Sequence, residues 1–213
     1  KTAYVMDLSG PVGDCAVAAP TLITFSAEVV GKAAHAGFAP EDGVHAIQVA
    51  AAAVANLPSG RWGDVTVNVG TISGGRATNI VPDSCTVTGE IRALCHQDAL
   101  DRLNEIHSEF VEQAQAVDAK LNFNHTIHIT GYRVDTDAPV AQRFRRACEA
   151  VGVSPRFTDT YGGSDCNILS AHGIQGLVVA TAMNNCHAVS EYTTVEELCK
   201  AGRLAQALME KQD

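Results

Sequence analysis

At 213 residues, 46% hydrophobic and 18% charged, the chain has an ordinary globular balance and length enough for one or two packed domains. Its net charge of -9 argues against a nucleic-acid partner, because phosphate binding needs clustered Lys and Arg. No apolar run approaches the roughly 20 residues of a membrane span, and the alanine-rich stretch 46–55 is short and broken by Gln48.

The chain opens with a strand-like segment over residues 1–6 ending at Asp7, with no signal-peptide pattern and no initiating Met, so residues are expected upstream. Residues 8–14 read as turn and loop. Residues 21–30 carry Leu22, Ile23, Phe25 and Val29-Val30, which predicts a strand. Three glycines and Pro40 make 31–43 a loop. Ile47, Ala50, Ala51 and Val54 at helical spacing predict a helix over 44–57, capped near Asp42 and Gly43 and closed by Pro58. Strands follow at 64–72, where Val65, Val67 and Val69 alternate with polar residues, and at 85–93. A helix over 97–117 presents Leu100, Leu103, Ile106, Phe110 and Val111, and a strand over 120–132 alternates Leu121, Phe123, Ile127 and Ile129.

The order from residue 21 to 132 is therefore βαββαβ, the ferredoxin-like split βαβ arrangement. Beyond it, helices at 138–151, about 165–172 and 195–211 alternate with short strands near 156–158 and 176–180, the pattern of an α/β sheet. Three short strands, counting residues 4–6, are too few to close such a sheet and leave an apolar edge needing a partner. Arg143, Arg145 and Arg146 cluster on the predicted helix and read as a solvated face. The seven cysteines (Cys15, Cys85, Cys95, Cys148, Cys166, Cys186, Cys199) are odd in number and form no CxxC pair, which favours reduced thiols and a cytoplasmic location.

Several residues carry chemistry. His187, in Asn184-Asn-Cys-His-Ala-Val-Ser-Glu-Tyr192, and Asp7, before a Gly/Pro turn, both follow predicted strands of the α/β part. Active sites of open α/β sheets gather at the carboxyl ends of strands. An imidazole and a carboxylate there suit zinc, although a backbone-bonded loop histidine and a turn aspartate are commoner occupants. Gly162-Gly-Ser-Asp165 offers N–H groups and a hydroxyl at a helix start, or is simply an N-cap. His35 lies among small residues in Gly31-Lys-Ala-Ala-His-Ala-Gly37. Asn79 and Arg92 follow in the same domain, and an arginine on a strand either clamps a carboxylate or faces solvent. Cys186 beside His187 gives a cysteine nucleophile little support, since neighbours in an extended segment point to opposite sides. No phosphate-loop or dinucleotide fingerprint is present.

In order and spacing, Asp7 with Gly10-Pro-Val-Gly13, Gly31-Lys-Ala-Ala-His-Ala-Gly37, Ala77-Thr-Asn-Ile-Val-Pro82, Gly89-Glu-Ile-Arg92, Gly162-Gly-Ser-Asp165 and His187 with Glu191-Tyr192 resemble the co-catalytic zinc exopeptidases. That family includes peptidase T, carboxypeptidase G, aminoacylase and succinyl-diaminopimelate desuccinylase, and the likeness is strongest to peptidase T-like proteins. The resemblance implies an α/β fold class with an α+β lid. Residues 1–18 would end one catalytic-domain segment, 19–133 would form the ferredoxin-like lid and dimerisation domain, and 134–213 would complete the catalytic domain's C-terminal part.

The resemblance also implies roles. Asp7 and His187 match ligands of two zinc ions, and His35 a lid histidine that stabilises an oxyanion in the partner subunit. Asn79 and Arg92 match substrate-orienting lid residues, with Arg92 on the terminal carboxylate; Gly163 and Ser164 match a loop that bonds the substrate backbone. The implied partners are a short peptide, a second copy through the lid, and the N-terminal half of the catalytic domain. The family's first metal histidine, bridging aspartate, general-base glutamate and adjacent ligand glutamate all precede the position of Asp7. The chain alone is therefore expected to lack a complete dizinc site and to be inactive. A non-catalytic dimerisation or binding module built on the lid is the competing expectation. Tripeptides, dipeptides and acyl-amino acids are all substrates open to such a fold.

Overall fold

A computed structural model of the chain describes residues 1–210. In chain order the elements are β1 (Thr2–Ser9), β2 (Asp14–Ala19), β3 (Thr21–Val30), a 3-10 turn (Pro40–Asp42), α1 (Ala46–Asn56), β4 (Gly60–Trp62), β5 (Val65–Gly74) and β6 (Ser84–Ala93). They continue with α2 (His96–Gln115), β7 (Lys120–Ile129), β8 (Tyr132–Arg133), α3 (Pro139–Ala150), β9 (Arg156–Asp159), α4 (Asp165–Ala171), β10 (Gln175–Met183) and α5 (Val195–Met209). The predicted end of the last helix at Lys211 lies outside the described residues. Two compact units result, one of residues 21–128 and one joining residues 1–20 to the chain from 129 onward. Among the described residues, no helix is long and apolar enough to cross a membrane.

The unit of residues 21–128 is a sheet in the order β4-β5-β6-β3-β7. The βαββαβ strands β3, β5, β6 and β7 thus lie in the ferredoxin-like order, with β3–β6 and β5–β6 antiparallel. Strict alternation builds its core. Ile23, Phe25, Ala27 and Val29 of β3, with Val87 and Ile91 of β6, turn one face of the sheet inward. Against that face α1 packs small residues (Ala46, Val49, Ala50, Ala53), and α2 a stripe of Leu103, Ile106, Phe110 and Ala114 at helical spacing. Two local expectations are corrected. The cap of α1 is His45, whose Nδ1 accepts the Gln48 N–H at 3.3 Å; Asp42 instead ends a 3-10 turn opened by Pro40. The edge strand β4 was not anticipated; it pairs Trp62 with Val65 across the two-residue turn Gly63-Asp64, with Gly63 at φ 60.

The other unit orders its sheet β1-β10-β2-β8, with β9 also pairing β2. The expectation of three strands here is overturned: among the described residues there are five, and the central one, β2, falls on Asp14-Cys-Ala-Val-Ala-Ala, buried at every position. A strand covered on both faces shows no alternation, and alanine carries no strand preference. Its first residue, buried Asp14, accepts Nε of Arg156 at 2.8 Å and is also bridged by that guanidinium's Nη2, fastening β2 to β9. The predicted single strand over 120–132 is likewise two, β7 and β8, in different sheets. Phe144, Leu177, Val178 and Leu204 centre the core beneath α3 and α5. The arginine cluster on α3 is not a plain solvated face. Arg143 Nη2 donates to the carbonyls of Leu208 and Glu210, closing the end of α5, and Arg145 stacks over Phe157 at 4.7 Å.

Candidate functional site

In the unit containing β1 and β10, the carboxyl ends of these two parallel strands open into a depression of about 570 Å³, lined by Asp7, Thr160, Gly163, Cys186, His187 and Glu191 among others. Asp7 reaches it through an irregularity that the sequence did not disclose. The β1–β10 register shifts between Val5 and Leu8 and again between Leu8 and Ser9, and Ala182 on β10 has φ 59. Bulges of this kind re-aim side chains beside active sites. His187 stands in the loop after β10 at φ 66, a left-handed conformation uncommon for a residue with a Cβ. Because the loop turns there, Cys186 and His187 line the same depression, contrary to the opposite-sides expectation for an extended segment.

The Gly162–Ser164 loop is built onto the start of α4. Ser164 Oγ accepts the Cys166 N–H at 3.2 Å, and Asn167 Oδ1 accepts the Ser164 N–H at 3.1 Å, forming a capping box. Gly162 donates to Thr160 Oγ1 at 3.1 Å. The Gly163 N–H and the Ser164 O–H are the donors this loop leaves for a ligand. A Cβ at Gly163 would meet the tip of the Ile129 side chain, which would have to turn aside. Buried Asn167, absent from the sequence-derived site, anchors the whole arrangement. Its Nδ2 also donates to the carbonyls of Pro20 (3.1 Å) and Thr130 (2.9 Å). The pattern Ser-x-x-Asn at 164–167 is the one sequence signal that pointed to it.

In the unit of residues 21–128, His35 and Asn79 are brought together and Arg92 is not. Ala36 N–H donates to the Asn79 carbonyl at 3.0 Å, and His35 pairs with Ile80. The Gly37 N–H donates to His35 Nδ1 at 3.1 Å, so the ring proton sits on Nε2 and is offered outward; Phe38 stacks on the imidazole at 4.2 Å. Arg92 lies near the far end of β6 from Ser84, beside Leu22 and Thr66. Eight residue steps along the strand take Ser84 to Arg92, roughly 26 Å at about 3.3 Å each. Its guanidinium engages Glu90, Nε to Oε1 at 2.9 Å and Nη2 to Oε2 at 3.4 Å. His35 belongs to the loop that follows Val30, which pairs with Ser84 at the opposite end of β6 from Arg92.

Among the described residues, no three His, Cys, Asp or Glu side chains gather closely enough to hold a metal ion. Catalytic zinc takes about three protein ligands and a water. Asp7 and His187 share a depression, and two side chains do not complete a metal site between them.

A ferredoxin-like unit is thus placed within the sequence of an α/β unit whose strand ends gather a carboxylate, a histidine and a glycine loop. Residues 17–118 match the peptidase dimerisation domain, M20_dimer. The chain is 34% identical to aminopeptidase PepT from Bacillus cereus, whose crystal structure it matches with a TM-score of 0.93, covering 98% of this chain and 56% of that one. It matches a tripeptidase from Staphylococcus aureus with the same score and coverage at 26% identity. It is also 31% identical over 209 residues to the uncharacterized protein YqjE of Bacillus subtilis, covering 98% of this chain and 56% of the relative. The match to the peptidase dimerisation domain thus covers residues 17–118, and the likeness to PepT and YqjE extends along nearly the whole chain. The chain spans a little over half the length of these relatives.

Proposed function

We propose that the chain is the lid-bearing C-terminal part of a zinc-dependent, peptidase T-like exopeptidase that hydrolyses short peptides by metal-activated water. The observation that carries this reading is the convergence of Asp7, His187 and Gly163 on one depression at strand ends, in a chain similar to PepT over 98% of its length. In it, Asp7 and His187 each serve one of two zinc ions, whose remaining ligands and general base come from a preceding half of the catalytic domain. Zinc in such a site lowers the pKa of bound water and polarises a carbonyl.

The chain's own residues contribute binding and orientation. The Gly163 N–H and Ser164 hydroxyl bond the substrate backbone. Arg92 exchanges Glu90 for the substrate's terminal carboxylate, a bidentate match. His35 presents Nε2–H to a developing oxyanion, with Asn79 beside it. The match of residues 17–118 to a peptidase dimerisation domain supports a homodimer through the lid, in which one copy lends His35 to the site of its partner. The same reading makes the 213-residue chain alone inactive and places the protein in the cytoplasm, in keeping with its seven unpaired thiols. A non-catalytic dimerisation module remains the second reading, favoured by the lack of a three-ligand cluster among the described residues.

The test is zinc-dependent cleavage of di-, tri- and acyl-amino-acid substrates by the polypeptide of the full reading frame. Cleavage that is lost in both His187→Ala and His35→Ala supports the enzyme reading. A frame that begins near Lys1, or a zinc-loaded protein inert to every substrate, supports the module.

A further inference from the structure

The loop that carries His187 is closed by short backbone bonds. Asn184 and Tyr192 exchange two, at 3.0 and 3.1 Å; Ala188 N–H reaches the Asn185 carbonyl at 3.1 Å, and Glu191 N–H the Ala188 carbonyl at 3.0 Å. Inside it, Asn185 and His187 both stand at positive φ, 54 and 66. Non-glycine residues adopt that region at a cost of order 1 kcal/mol or more, and keep it only where the surroundings hold them. None of the backbone bonds that close the loop involves His187. Its N–H donates instead to Oε2 of Glu191 at 2.9 Å, and Glu191 lines the same depression as His187 and Asp7.

We infer that Glu191 is a positioning residue for His187: its carboxylate holds the His187 N–H, keeps the backbone left-handed and so sets the direction in which the imidazole leaves the chain. This rests on the reading of His187 as a metal ligand for its purpose, though not for its geometry. A carboxylate accepting a backbone N–H makes a charge-assisted bond, stronger than the neutral bonds elsewhere in the loop. Relaxation of His187 to a right-handed or extended backbone would redirect its Cα–Cβ bond and swing the ring away from Asp7. With the acceptor four residues on, the loop sets the ring before any ligand arrives, the preorganisation that metal-binding histidines ordinarily draw from outer partners.

The experiment uses isotope-labelled chain, wild type, Glu191→Ala and Glu191→Gln. It reads His187 amide exchange, the φ-dependent couplings of His187, and the response of its imidazole nitrogens to added zinc; resonances of β2 and β10 report that the fold is intact. Glu191→Ala is expected to speed His187 amide exchange by about tenfold or more, the scale of a lost bond to a charged acceptor. It should also abolish the left-handed couplings and weaken the zinc response of the ring. Glu191→Gln, whose amide oxygen accepts the same N–H, should restore all three. Unchanged exchange and couplings in Glu191→Ala overturn the inference. So does a lost zinc response with an unchanged His187 backbone, which would make Glu191 a ligand in its own right. If the wild-type ring ignores zinc while Glu191→Ala still frees the backbone, the positioning stands and the metal-ligand reading falls.

Discussion

Replacing Asn167 by Ala removes the side chain that ties the ligand-facing loop to the sheet. Asn167 is 1% exposed and makes three bonds: Oδ1 from the Ser164 N–H, and Nδ2 to the Pro20 and Thr130 carbonyls. At about 0.5–1.5 kcal/mol net for each bond, Asn167→Ala should destabilise the chain by roughly 2–4 kcal/mol. For a chain of this size each kcal/mol moves the thermal midpoint by about 2–4 °C, so a fall of about 4–16 °C is expected. Asn167→Asp adds a diagnostic. At neutral pH it sets a carboxylate against two carbonyl oxygens that need donors, which raises the folded-state pKa of the new group. A raised acid pKa withdraws stability as pH rises from the unfolded value near 3.9, so the variant should be relatively more stable in acid than at pH 7, measured against wild type at each pH. Differential scanning calorimetry across pH reads both effects. A shift under about 2 °C for Asn167→Ala, less than 1 kcal/mol at this size, would refute the anchoring role.

Three further outcomes follow from the packing. Gly163→Ala pushes a Cβ against the tip of the Ile129 side chain, which can turn aside, so the cost should be about 0.5–1.5 kcal/mol, the scale of a displaced rotamer; Ile129→Ala in the same chain should recover part of it in a double-mutant denaturation cycle, and strict additivity would contradict the contact. In the native chain a thiol reagent should quickly titrate exposed Cys95 and Cys199 and half-buried Cys186, with Cys15, Cys85, Cys148 and Cys166 reacting only on unfolding. Burial pushes the Cys148 thiol up to about 11 and the Tyr4 hydroxyl to about 12, and raises Cys15 and Tyr132 as well. The folded chain therefore keeps protons that the unfolded chain releases, so stability is full below the ordinary thiol value near 9 and falls as pH rises toward the folded values. Urea midpoints that stay level from pH 8 to 11 would refute that burial.

The ferredoxin-like unit was legible because its residues obey one period at a time. β3 alternates buried and half-buried positions without a break, and α2 carries its apolar stripe at helical spacing. The sheet of the other unit was harder, since β2 is an alanine-rich strand covered on both faces and presents neither alternation nor branched side chains. Site residues were visible as types at strand ends, but their aim was not. Asp7 is turned by a register shift set by its pairing with β10, and His187 by a left-handed backbone held from Glu191. Both depend on partners far along the chain or on the closure of a loop, which residue-by-residue patterns do not encode. Arg92 was readable as a clamp for a carboxylate, while its pairing with Glu90 and its place at the opposite end of β6 from Ser84 come from the folded strands.

The central claim, that this chain contributes Asp7 and His187 to a zinc site it does not complete, is tested most directly by zinc stoichiometry. Equilibrium dialysis of the 213-residue chain should find no tightly held pair of zinc ions, only weak binding that Asp7→Ala and His187→Ala both diminish. Two zinc ions retained per chain, with hydrolysis of a tripeptide by the chain alone, would contradict it.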